Sequence, residues 1–296
     1  PSTQRGRDFA IMLRSLNDLG YAVEWRVINA AEYGMPQRRK RVFILGYHKS
    51  SEIYKSIEAN TSEDWIIKNG LLAKSFKCSK LHKGSVTDDG SMFTLDDDLL
   101  DISKQFNIKG KISPFRDSGL SINGAVYTIK TAPNFKGSPA RLRDFLQNGE
   151  VTDDFFICES QKKDWLYLKG AKKKERITPD GFKYNYSEGS MTYPDNLEKP
   201  SRTIITGEGG TSPSRFKHVI ESERGLRRLT PIELERLSMF PENHTEIESI
   251  TDAKRAFFIG NALVVGVVEK IGRELAKRHK KWNTIFISYS REKSYL

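Results

Sequence analysis

The stretch AAEYGMPQRRKRVFILGY, Ala30 to Tyr47, sets four cations, Arg38, Arg39, Lys40 and Arg41, directly against the apolar run Val42 to Leu45. Tyr33-Gly34-Met35-Pro36 breaks the chain, and the short apolar run then reads as a strand buried on both faces. A charge cluster at a strand mouth has two readings. It either caps the strand as a surface salt-bridge cluster, or it forms a site. The pleat would send Gln37, Arg39 and Arg41 to one side and Lys40 to the other. Arginine offers planar donors that suit phosphate, carboxylate or the edge of a base.

Working outward, Phe9, Met12, Leu13, Leu16 and Leu19 fall at helical spacing before Gly20, which predicts a helix over Asp8 to Leu19. Val23, Trp25 and Val27 alternate with Glu24 and Arg26 as a strand does. Helix, strand, turn and strand suggest part of an α/β layer.

The 296 residues allow one large domain or two smaller ones, and 37% hydrophobic residues mark a globular chain. A formal charge of +11 points to a polyanionic partner, or else to a soluble basic protein with none. No window approaches the roughly 20 apolar residues that a membrane span needs, so no membrane role is expected. No signal peptide is visible. Two cysteines, Cys78 and Cys158, argue against a disulfide scaffold or a cysteine-based metal site and fit a reducing cytoplasm. The opening Pro1 fits initiator removal, a split subunit or a truncated product.

From about Ser50 to Glu198 the rhythm changes to short apolar clusters and turn dipeptides, as in a separate, irregular lobe. Asn123-Gly124 within SINGAVYTI predicts a tight hairpin. Residues 161–178 hold seven cations against two anions, interleaved with Trp165 and Tyr167. That mixture suits a nucleic-acid surface or a solvated lysine face. Beyond Pro200, Thr230-Pro231 with Glu233 predicts a capped helix to about Met239. Asp252 can cap a short helix through Phe258. Val264, Val268, Ile271 and Leu275 should share one face of a longer helix ending in cations that complement its dipole. The final segment, residues 283–296, shows no assignable pattern.

Two further stretches carry possible chemistry. In RTIITGEGGTSPSR, Arg202 to Arg215, glycines 207, 209 and 210 among hydroxyl side chains could let backbone approach a phosphate, or could form a plain flexible loop. The stretch lacks the Lys-Ser/Thr of a phosphate loop and does not match the dinucleotide fingerprint, which argues against an unrelated nucleotide-dependent enzyme. In FFIGNALVV, Phe257 to Val265, Asn261 either caps the next helix or touches a ligand held at its start.

In this order, YGMPQRRKRVFILG, KPSRTIITGEGG, RRLTPIELERLSMFPENH and KRAFFIGNALVVGVVEKIG, the segments resemble the C-terminal half of the DNA cytosine-5 methyltransferases. The resemblance covers both ends of the chain and the middle only loosely. It implies that Gln37, Arg39 and Arg41 occupy a Gln-x-Arg-x-Arg strand motif whose last arginine reaches a flipped cytosine. Thr203-Ile204 would occupy a Thr-Leu position contacting DNA, beside Arg202 and a close-approaching loop at Gly207, Gly209 and Gly210. Asn261-Ala262 would close over S-adenosylmethionine, with Ala262 and Leu263 where Ser-Val is common.

The family's thiolate lies in a Pro-Cys motif, with a Glu-Asn-Val motif and a Phe-x-Gly-x-Gly motif for the cofactor, and none of these occurs in the chain. Cys78 follows Lys77 and Cys158 follows Ile157. The resemblance therefore implies an α/β fold: residues 1–50 as the end of an incomplete Rossmann-like methyltransferase sheet, 51–200 as a target recognition lobe, and 201–296 as recognition loop and returning helices. Such a chain should bind double-stranded DNA and be inactive alone, in a restriction-modification setting. A complementary chain carrying the N-terminal motifs would complete it. The alternative is a catalytically silent sequence-specific DNA-binding or regulatory module.

Overall fold

The computed structural model describes residues 3–83 and 86–278. Residues 283–296, which carry no assignable pattern, lie outside them. The chain forms two compact units, one of Pro1–Tyr33, Lys40–Gly137 and Val268–Leu296, the other of Gly34–Arg39 and Ser138–Val267. This division falls elsewhere than positions 50 and 200.

In the first unit, helix α1 (Arg7–Asp18) leads into strand β1 (Tyr21–Asn29), which pairs with β2 (Lys40–His48). Three more strands, β3 (Ser91–Thr94), β4 (Ser118–Ile122) and β5 (Ala125–Ile129), complete a sheet of order β2-β1-β4-β5-β3. Every pairing in it is antiparallel. The fold is thus mixed α/β, but a parallel Rossmann-like arrangement has no counterpart among the described residues. Three of the five strands come from the stretch expected to be a separate lobe. β1 has two edges to satisfy, and β4 takes the one that β2 leaves. Asn123 and Gly124 turn β4 into β5 with φ of 49° and 79°, the left-handed pair that a tight primed turn requires.

One face of the sheet packs on α1: Phe9, Leu13, Val23, Trp25, Phe115 and Val126 form the core, with Phe9 edge-on to Trp25 at 5.1 Å between ring centres. The other face is covered too, by the helical segments between Ser62 and Ser75. Glu24 and Arg26, which period-two alternation would leave toward solvent, are therefore buried. Glu24 accepts hydrogen bonds from Tyr47 Oη (2.7 Å), Leu72 N (3.1 Å) and Trp65 Nε1 (3.2 Å). Arg26 donates to Phe76 O at 2.9 Å and to Ile66 O. These bonds offset much of the cost of burying both groups, although burial still pushes the Glu24 carboxyl above its ordinary value. β2 is an edge strand, and Val42 is 39% exposed rather than buried on both faces.

The second unit holds helices α2 (Glu159–Lys169), α3 (Pro231–Leu237) and α4 (Asp252–Asn261), and a two-stranded ribbon of β6 (Lys172–Ile177) with β7 (Lys183–Glu188). Its core gathers Leu142, Ile204, Ile220, Leu229, Leu234, Leu237, Ala256 and Ile259. Thr230 caps α3 through a full capping box with Glu233, and Glu233 also takes both ends of the Arg227 guanidinium at 2.7 and 2.8 Å. Thr251, one residue before the expected Asp252, caps α4. Helix α5 (Val265–Arg278) turns a different face inward from the one expected: Val264, Val267 and Ile271 are buried, whereas Val268 and Leu275 are 47% and 41% exposed.

Candidate functional site

Gln37 and Arg39 precede β2, which starts at Lys40, so the pleat does not govern their direction. Pro36 O and Ser201 O each accept a main-chain bond, from Ser201 N and Arg38 N at 2.8 Å, and Gln37 bridges in parallel to Ser201. Thr203 Oγ1 donates to Arg38 O. This ladder lays the segment at 36–39 along the segment at 201–204.

Both side chains are then consumed by protein. Gln37 Oε1 accepts from Ile204 N at 3.1 Å, while its Nε2 donates to Ser238 Oγ at 3.1 Å and to Leu237 O at 3.4 Å. Arg39, only 3% exposed, donates to Ile204 O at 3.0 Å and to Gly260 O at 2.9 Å. The three sequence motifs, around Gln37, Ile204 and Gly260, meet in one buried knot. Gln37 and Arg39 tie that knot and present no free polar end to a ligand, contrary to a shared pocket of all three side chains. Arg41 differs. It lies exposed on β2 in the first unit, its Nη1 donating to Lys40 O at 2.8 Å. Its remaining donors are available to an anionic or carbonyl partner.

Gly260 and Gly209 explain how closely the segments approach. A Cβ on Gly260 would stand 2.5 Å from the backbone of Ile205 and Thr206, and one on Gly209 would stand 2.6 Å from Ala253 Cα. Helix α4 is clamped against the 204–209 segment at both places. Alanine at either glycine is expected to cost about 1–3 kcal/mol by overpacking, read as a lower denaturant midpoint with an unchanged slope.

The Gly-Glu-Gly-Gly stretch is anchored rather than loose. Glu208 is buried and accepts from the His218 main-chain N and, at 2.9 Å, from its ring Nδ1. Lys217 Nζ reaches Gly210 O (3.1 Å) and Ser212 O (2.8 Å), and Arg228 also donates to Gly210 O at 2.9 Å. Thr206, Gly207 and Gly210 to Ser212 remain exposed, with the Gly210 and Ser212 carbonyls already taken from inside. Arg202 is committed to Asp195, at 2.6 and 3.0 Å, and to the carbonyls of Phe216 and Lys217. Sequence inspection missed Asp195, Glu208, Lys217, His218 and Arg228. The one available signal was a carboxylate inside a glycine run, with a histidine heading the apolar pair Val219-Ile220.

Burial alone would raise the Asp195 and Glu208 carboxyls, but Arg202 beside the first and His218 beside both hold them below their ordinary values of 3.8 and 4.5. A depressed folded-state value contributes stability above the unfolded-state value, and that stability is lost as pH falls through the folded one. The melting temperature should therefore drop below about pH 4, and Glu208→Gln should flatten that drop. An acid limb unchanged by Glu208→Gln would count against the network.

Asn261 does not start a helix. It ends α4, exposed, with Nδ2 on Phe257 O at 3.2 Å. The Ala262 N–H is used by Phe258 O and Ile259 O at 3.0 and 3.1 Å, so only its carbonyl and methyl can meet a ligand.

The model for the C-5 cytosine-specific DNA methylases matches residues 2–277, the middle of the chain included. The chain belongs to that family. Among similar methylases, the Type II methyltransferase M.Sau3AI of Staphylococcus aureus is 42% identical over 278 residues, covering 94% of this chain and 64% of that protein. Type II methyltransferase M.NgoBV of Neisseria gonorrhoeae is 27% identical over 309 residues, covering 93% of this chain and 68% of its own length. The chain thus spans about two-thirds of the length of these relatives. The S. pombe Dnmt2 methyltransferase structure overlays with a TM-score of 0.44 at 15% identity over 88% of this chain and 59% of that one, too loosely to argue from. No helix among the described residues is long and apolar enough to cross a membrane.

Proposed function

We propose that this chain carries the C-terminal part of a DNA cytosine-5 methyltransferase of a restriction-modification system. It binds duplex DNA, positions a flipped cytosine and completes an S-adenosylmethionine site. The observation that carries the reading is the buried knot of Gln37, Arg39, Ile204 and Gly260, which leaves Arg41 as the exposed arginine of its motif.

On this reading Arg41 holds the carbonyl edge of the cytosine and stabilises negative charge developing there. Thr203, the exposed residues Thr206 and Gly207 and the Gly210 turn lie against the DNA backbone. S-adenosylmethionine supplies a methyl group on a sulfonium. The last turn of α4 suits such a cation, because the helix C-terminus carries partial negative charge and the exposed Asn261 offers a carboxamide oxygen. The thiolate that adds to C6 and activates C5 comes from residues outside these 296, on the same polypeptide or on a complementary chain. Neither cysteine present fits that role: Cys78 is buried and its thiol is pushed up by burial, while Cys158 is exposed with Ser160 lowering its pKa but stands outside any Pro-Cys context. An outer edge of β2 that pairs with no strand among the described residues, together with the exposed Val42, Val268 and Leu275, supports a further covering layer.

The test is methyl transfer from labelled S-adenosylmethionine to DNA, with and without a polypeptide carrying the Pro-Cys and Glu-Asn-Val motifs. Transfer is expected only with it, and robust transfer by the chain alone contradicts the reading. The absence of Pro-Cys also favours a second reading, a silent DNA-binding module. That reading predicts DNA binding with no transfer in either mixture.

A further inference from the structure

The first unit holds a cavity of about 490 Å³ that none of the family motifs explains, lined by Tyr33, Lys74, Lys77, Asn134, Phe135, Lys136 and Lys270 among others. Its lining includes four lysines and no carboxylate. Among the described residues none of Lys74, Lys77, Lys136 and Lys270 forms an ion pair, in contrast to Lys55, Lys68, Lys80, Lys162 and Arg273. Like charges gathered round one hollow repel each other, and an anion relieves that repulsion.

The wall beneath the lysines is aromatic. Tyr33 packs edge-on to Phe76 at 4.9 Å and to Phe135 at 6.5 Å. Lys270 Nζ stands 5.7 Å from the Phe76 ring centre and 6.0 Å from that of Phe135, so its ammonium is held over the rings. Phe135 keeps 41% of its surface exposed at the cavity, where an apolar ring would ordinarily be covered. Cations beside an exposed ring match the two halves of a nucleotide, a phosphate and a base.

We propose that this cavity binds a nucleotide unit, its phosphate among Lys74, Lys77, Lys136 and Lys270 and its base stacked on Phe135. The unit is either part of a nucleic-acid strand or a free nucleotide. The volume lies in the range of about 300–1,000 Å³ typical of small-molecule sites. The inference rests on the proposed DNA reading only in naming a strand as one source.

The test titrates the whole chain with inorganic pyrophosphate, a free deoxynucleoside monophosphate and a short single-stranded oligonucleotide, for the wild type, K77E/K136E and F135A. All three changed positions are exposed, and circular dichroism checks that the fold persists. K77E/K136E should weaken every probe at least about tenfold and reduce the salt slope for the oligonucleotide by roughly one to two. F135A should weaken the nucleotide or the oligonucleotide about tenfold while sparing pyrophosphate. Tight binding of the free nucleotide identifies that source, and binding of the oligonucleotide alone identifies a strand. Unchanged affinity for the base-bearing probes in either variant, or no binding of any probe by the wild type, overturns the proposal. Failure of methyl transfer with probe binding intact would instead count against the methyltransferase reading alone.

Discussion

Arg39→Ala is expected to destabilise the second unit by about 3–5 kcal/mol, combining two stranded carbonyls with the space left by the side chain. Arg39 is buried and its fork spans Ile204 O and Gly260 O, which belong to different segments. Alanine leaves both acceptors dry and unpaired. Native domains are stable by only about 5–15 kcal/mol, so this loss is a large share of the total. A fall in melting temperature of roughly 8–15 °C should accompany it. Arg39→Lys should recover little, because a single ammonium cannot reproduce the planar fork that reaches both carbonyls. Equilibrium denaturation checks this, and a change below about 1 kcal/mol would show that the knot is not what holds the segments together.

Arg41→Ala should do the reverse. Its side chain is exposed and its hydrogen bond among the described residues runs to the neighbouring Lys40 O, so stability should move by less than about 0.5 kcal/mol. On the proposed reading, turnover of the complemented enzyme should fall about 10²–10³-fold, the usual cost of removing a donor aimed at developing charge. A mutant that melts early as well as turning over slowly would mean that Arg41 supports the fold.

The contrast between these two arginines marks where sequence inspection succeeds and where it stops. Thr230-Pro231-x-Glu233 and Asn123-Gly124 were legible because their physics is local: a cap and a turn are specified within four residues. Motif order carried the family on other grounds: each motif alone allowed a bland reading, and their succession along the chain decided between the two. Equal parity gave Gln37, Arg39 and Arg41 a common direction that only a continuous strand would impose, and β2 begins after Arg39. Glu24 and Arg26 look solvent-facing until residues 62–75 cover that side of β1, and the buried face of α5 depends equally on packing partners. Glu208 and His218 lie ten residues apart, and nothing local shows that they pair.

Single-turnover methyl transfer by the complemented chain, at saturating DNA and S-adenosylmethionine, compares the wild type with Arg41→Ala most directly. The account predicts a rate constant lower by about 10²-fold or more with DNA affinity within about threefold. A rate constant within about threefold of the wild type, with the mutant folded and DNA-bound, would contradict the assignment of Arg41 to the reacting base.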